Sequence, residues 1–444
     1  MHTPKHRLIL SAVTCIAAFA LAGCSSASPS STPATTSSAT SSTTAQTEIK
    51  EASAPSSRLA LTHDGGLMVL DGKTFEVLET IEKEGYLRLN PAGDNRHMVV
   101  ADGSSYTMLD MGAWTQEHGD HDHYYTTAPT LTSLSFAAEG TGHVIVDYGK
   151  GAMFADKTGT FDIYSPADLT GEDQRTVSTL ETTTVTLPEP HHGLAIPLED
   201  DRYLVTVGND EERSGAAVVD AEGKTIVENK ECPGIHGEAV AADGIITVGC
   251  QDGALIYKDG AFTKVSNPED PYSRSGNQAG SKASHFVLAD YKTDKEAELE
   301  RPEQFSVIDT DAKTRTKVAL PEGVSYTFRS LARGEQGEHL LLTTDGKLRF
   351  YAEDGAELGA VDVMDSWEES TVWQDPRPAI WVDGHTAYVT DPASKKLHII
   401  SLATIAQGEA EVFESVDLPE VPNEINGISR TASTKISAEV EHKH

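Results

Sequence analysis

The chain has 444 residues, long enough for two or three ordinary domains or one repetitive fold with a sizeable core. Asp and Glu number 69 against 35 Lys and Arg, a formal net charge of −34 at pH 7. Such an excess without basic clusters excludes nucleic acid as a partner, keeps an exposed chain soluble and favours the approach of cations.

Residues 1–23 read as an export signal. Lys5, His6 and Arg7 open it, an apolar run from Leu8 to Ala22 follows, and small residues precede Cys24. The run is short for a permanent membrane span. Leu21-Ala22-Gly23-Cys24 resembles the lipobox of bacterial lipoproteins, which implies lipidation at Cys24 and anchorage to the outer face of the cell membrane. Residues 24–57 are nearly all Ser, Thr, Ala and Pro until Glu48, a composition that cannot offset its ordering entropy, and they read as a flexible tether.

From residue 58 the pattern changes to short β-branched and aromatic runs, broken by turns that include nine Asp-Gly pairs. Eight hairpins recur. They begin with Arg58–Thr62 and Gly66–Leu70, continue through His97–Val100 with Tyr106–Leu109, and include His143–Val146 paired with Phe161–Ile163. The last joins His385–Val389 to Leu397–Ile400. Further short strands flank most hairpins, for example Leu87–Leu89 and Leu134–Phe136 before and Phe75–Leu78 after. The period fits a β-propeller. The expected class is therefore all-β: a propeller over 58–430 with eight four-stranded blades, or seven because the strand around 276–282 is poorly defined. The first unit lacks an inner strand and Glu424–Ser429 is spare, so the C-terminal strand is expected to close the ring. Residues 431–444, with His442 and His444, read as a frayed tail.

Zinc takes imidazole nitrogen and carboxylate oxygen, with four ligands in a tetrahedron. His118-Gly-Asp-His-Asp-His123 offers His118, His121 and His123, with Asp120 and Asp122 as ligands or supports, on what reads as a mobile loop. Pro190-His-His-Gly and Gly234-Ile-His-Gly place His192, beside His191, and His236 at equivalent positions leading into inner strands of neighbouring blades. Glu238 shares the face of His236 by the two-residue strand period. If the 113–131 loop joins two blades, its histidines emerge on the same face as His192 and His236 and form a lid over them. His97, His143, His285, His339 and His385 start the second strand of five blades, a repeated position that reads as architecture. Two cysteines remain in the exported part, Cys232 and Cys250, and in that compartment they are expected to form a disulfide.

GxSxG, HExxH and a phosphate-binding glycine loop are all absent from the sequence, so no enzyme is expected. An exported, acidic propeller carrying the His118–His123 stretch, the two His-Gly segments, and Cys232 with Cys250 resembles the AztD-type zinc metallochaperones, over residues 58–430. The resemblance implies a high-affinity Zn²⁺ site in the propeller and handover to the solute-binding protein of a zinc ABC transporter. The competing reading is a surface propeller that binds a protein or glycan.

Overall fold

Antiparallel strands carry the chain, in the order the turn signals dictate. The computed structural model describes residues 48–430. The export signal, Cys24, most of the tether and the tail after 430 lie outside the described residues. Among those residues, eight four-stranded sheets follow one another, with one three-stranded sheet added. Each four-stranded sheet is an antiparallel meander whose first strand is innermost, and together they form a β-propeller. The inner strands are, from sheet one to sheet eight, Ile425–Ile428, Arg88–Pro91, Thr141–Asp147, Ala195–Pro197, Glu238–Val240, Gln278–Ala279, Leu331–Arg333 and Ile380–Asp383. Sheet one takes its inner strand from the far end of the described chain. Arg58–His63 pairs with Gly66–Asp71 on one side and Ile425–Ile428 on the other, with Arg58 opposite Ile428.

The core is layered between the sheets rather than gathered at the centre. Leu59, Leu61, Met68 and Leu70 of sheet one pack on Tyr388, Leu397 and Ile399 of sheet eight, and Leu194, Ile196 and Val218 of sheet four pack on Ile246, Val248 and Leu255 of sheet five. A middle strand therefore buries both faces: Leu59, Ala60 and Leu61 are all fully buried. Each such leucine stabilises by about 1.5–3 kcal/mol. The outermost strands, such as Val77–Glu82, are largely exposed.

Several expectations give way here. The partner of His143–Val146 is Lys150–Ala155, not Phe161–Ile163, and Thr160–Tyr164 comes third in that sheet. Thr130–Ala137, expected to lead into sheet three, instead pairs with Ser105–Asp110 as the outermost strand of sheet two. His143 consequently lies on an inner strand rather than at the start of a second one. The segment before residue 130 is therefore an excursion between the third and fourth strands of one sheet, not a link between blades. It is also not a loop: Ala113–His118 and His121–Thr126 form a hairpin, widened by Lys50–Ala52 from the stretch read as tether.

Candidate metal centre

Two groups of three histidines could hold a metal ion among the described residues, His143/His192/His236 and His118/His121/His123. The first is assembled by three consecutive sheets. His143 stands in the inner strand of sheet three, while His192 and His236 sit just before the inner strands of sheets four and five. Ring centroids are 5.3–5.4 Å apart, and the three nitrogen donors lie within 4.8 Å of one another. Donors around a tetrahedral zinc, at Zn–N of about 2.0–2.1 Å, stand roughly 3.3 Å apart, so small side-chain rotations would close the site.

The backs of the rings are all held. His236 Nδ1 donates to the Gly276 carbonyl at 2.6 Å and His192 Nδ1 donates to Asp156 Oδ2 at 2.6 Å. His143 Nδ1 lies 3.3 Å from Glu238 Oε2. A proton committed to Nδ1 leaves the Nε2 lone pair for a metal, and acceptors behind a ligating imidazole fix both tautomer and orientation. Burial, reinforced by repulsion from His143, pushes His236 well below the ordinary imidazole value, so it is neutral. Burial also opposes charge on His143 and Glu238, but their mutual attraction outweighs it: His143 is raised and Glu238 lowered. The two carboxylates, Asp156 and Glu238, match the charge of one divalent ion.

The local chain explains the placement. Gly237 has φ +76° and lies so close to Gly276 that a Cβ would collide with its carbonyl. Cys232 and Cys250 are disulfide-bonded, with Cα atoms 4.9 Å apart, and the His236 amide donates to the Gly249 carbonyl beside that bridge. His191 is not part of the cluster. It is buried, with Nδ1 at 3.0 Å from the Glu189 carbonyl and Nε2 at 2.9 Å from Thr206 Oγ1, so neither nitrogen is free for a metal.

The second group occupies the hairpin. Register places Trp114, His118, His121, His123 and Tyr125 on one face, joined by Glu51 from the added strand, with Gly119 (φ +67°) and Asp120 forming the turn. The His121 and His123 Nε2 atoms are 3.1 Å apart, while their Nδ1 atoms meet Asp120 at 3.1 Å and Glu51 at 2.9 Å. Asp122 pairs across with Glu117 on the opposite face and does not join the group. The hairpin base is fixed by Arg96 stacked 3.8 Å over Trp114 and by Trp114 Nε1 donating to Gln174 at 3.1 Å.

The two groups do not face each other. His143, His192 and His236 line a cavity of about 760 Å³ shared with Tyr86, before the inner strand of sheet two, and with the turn at Asp102. The hairpin base instead lines a groove with Asp94 and Arg96, the turn at the other end of that sheet. The expected lid over His192 and His236 is therefore not present, because the hairpin leaves its sheet at the opposite end.

No protein-family profile matches the chain. The zinc chaperone AztD of Citrobacter koseri is 26% identical over 347 residues, 75% of this chain and 77% of that protein. A crystal structure of C. koseri AztD and a structure of its apo form share the fold at TM-scores of 0.68 and 0.69. They are 22% identical to this chain and cover 84% of it and 98% of their own length. The chain is thus similar to the AztD zinc chaperone in sequence and in fold.

Proposed function

We propose that this protein is an extracytoplasmic zinc metallochaperone. His143, His192 and His236 hold one Zn²⁺ as cargo, and the ion passes by ligand exchange to the solute-binding protein of a zinc ABC transporter. The observation that carries this reading is the convergence of one ring nitrogen from each of three histidines, on rings whose Nδ1 atoms each face an acceptor and so leave Nε2 for the metal. The likeness to a zinc chaperone supports the choice of metal. The triad lines an open cavity, so ligands of a docked protein can replace the imidazoles one at a time and free ion need not form. The exposed hairpin histidines serve as a second, more accessible capture point. Anchorage through Cys24 at the outer face of the membrane would keep the chaperone beside the transporter; the Leu21–Cys24 stretch supports it. Nothing in this mechanism is catalytic.

Equilibrium dialysis against a zinc chelator tests the reading. His192→Ala/His236→Ala should lose one tight equivalent, and His118→Ala/His121→Ala/His123→Ala should lose the other without changing the affinity of the first. Unchanged stoichiometry and affinity in the first variant would overturn the site. Transfer to the solute-binding protein no faster than to a chelator would overturn the handover.

A further inference from the structure

Three histidines leave one position of a zinc tetrahedron unfilled. The cavity in front of them is lined by Arg88, Arg274 and Lys292 and walled by Tyr86, Phe328 and Trp373. Cations beside a cation site are unexpected in so acidic a chain. Arg88 is paired with Glu424, and Lys292 stands 3.8 Å from Asp290. Arg274 has no carboxylate partner among the described residues, and its Nε is buried without a hydrogen bond. Orphan nitrogens recur on Arg58, Arg329, Arg349 and Arg377, each ion-paired, to Asp71, Glu424, Asp345 and Glu369 respectively, and on Arg213, which has no ion pair among the described residues but lines a neighbouring groove rather than this cavity. Arg274 is held beside the triad: a Cβ on Gly276, whose carbonyl supports His236, would lie 3.0 Å from its Nε. A buried guanidinium donor left unmatched costs about 1–3 kcal/mol, and its fork suits a planar oxyanion.

We propose that a monocarboxylate occupies this cavity against Arg274 and Lys292 and completes the coordination of the metal held by His143, His192 and His236. The inference rests on the triad being the zinc site. Asp102 and Asp156 line the same cavity and disfavour a multiply charged anion such as phosphate, while the aromatic wall accepts the organic part of a carboxylic acid. Trp373 is 54% exposed and packs edge-on against Tyr86 at 4.8 Å, leaving the wall accessible from solvent. Metal and carboxylate then bind cooperatively, each strengthening the other by the same factor. The carboxylate has two sources: a free small acid, or an Asp or Glu side chain of the docked acceptor.

The test measures zinc affinity of the full chain by chelator competition, without carboxylate, with benzoate, and with the α-amide of N-acetylglutamate. At least one acid should tighten zinc binding about tenfold, within the usual range for coupled sites. Calorimetry should show zinc tightening that acid by the same factor. Arg274→Gln should abolish the coupling and Arg274→Lys retain part of it, with thermal melting reporting whether either variant is folded. A stronger effect of benzoate assigns the site to a free acid; a stronger effect of the glutamate derivative assigns it to a partner side chain. Zinc binding that neither acid changes, or equal coupling in folded Arg274→Gln, overturns the proposal while leaving the triad intact. Absence of tight zinc binding would instead overturn the triad.

Discussion

Asp156→Asn removes one charge and no volume, and its effect can be worked from the geometry around His192. Asp156 Oδ2 accepts the His192 Nδ1 proton at 2.6 Å, and Oδ1 accepts the Gly193 amide at 3.3 Å. The charged hydrogen bond contributes about 1.5–3 kcal/mol. In the variant the amide has two orientations. With oxygen toward the ring it keeps the tautomer but loses the charge that raises the basicity of Nε2 and balances the ion. With nitrogen toward the ring it places the imidazole proton on Nε2, where a metal must displace it. Either way zinc affinity should fall by about 10- to 100-fold, or roughly 1.4–2.7 kcal/mol, the usual effect of losing such a support. Chelator competition at fixed pH and ionic strength reads this directly, and the melting temperature of the metal-free protein reports any damage to the loop. A variant that melts like the native chain and binds zinc within twofold of it would refute the claim that Asp156 orients a ligand.

The Cys232–Cys250 bridge spans 18 residues, for which chain entropy gives about 3 kcal/mol. Cys232→Ser/Cys250→Ser should lower the denaturant midpoint accordingly and weaken zinc binding through His236, whereas unchanged zinc affinity would show that the loop holds itself. Burial, with the Arg333 charge nearby, pushes His339 down to about 3. Between that value and its ordinary 6.5 the unfolded chain binds the extra proton, so the contribution of His339 to stability is constant above pH 6.5 and falls by about 1.4 kcal/mol per unit below it. His339→Gln should shrink the loss of stability between pH 7 and pH 5 by about 2 kcal/mol. An acid transition identical to that of the native chain would contradict this assignment.

The repeat, the sheet class and the closing strand were legible because they rest on alternation and turn chemistry that the residues state openly. The error at sheet three has a local cause. The hairpin from Thr141–Asp147 to Lys150–Ala155 turns on Tyr148 and Gly149, with φ of 45° and 68°. That is the twist usually supplied by Asn-Gly or Asp-Gly, and a tyrosine in its place hid the turn. One missed strand displaced His143 from channel to framework and carried the His118 segment to the wrong end of the sheet. Counting Gly151-Ala-Met-Phe-Ala155 as a strand would have restored both. In sheets where no strand is hidden, the repeated histidines do begin second strands, as His97 and His339 show, and His97 is buried between Asp94 and Thr176. Asp156, Gly276 and Glu51 carried no signal in one dimension, because their contacts to His192, His236 and His123 are made across separate strands.

The pairing of Arg58–His63 with Ile425–Ile428 also determines when folding can finish. Joining strands from the two ends of the described chain is the most non-local event in its assembly, with an entropy cost of roughly 5 kcal/mol for a loop of that length. Until the last strand arrives, Arg58–His63 presents an unpaired backbone edge, the kind of surface that recruits other chains. Glu424, at the start of that strand, accepts the Leu89 amide at 2.9 Å and pairs with Arg329 at 3.1 Å, so its arrival ties sheets one, two and seven in one step. A chain shortened before residue 424 should therefore aggregate rather than form a smaller ring, and the ring cannot close until residues 425–428 have been made.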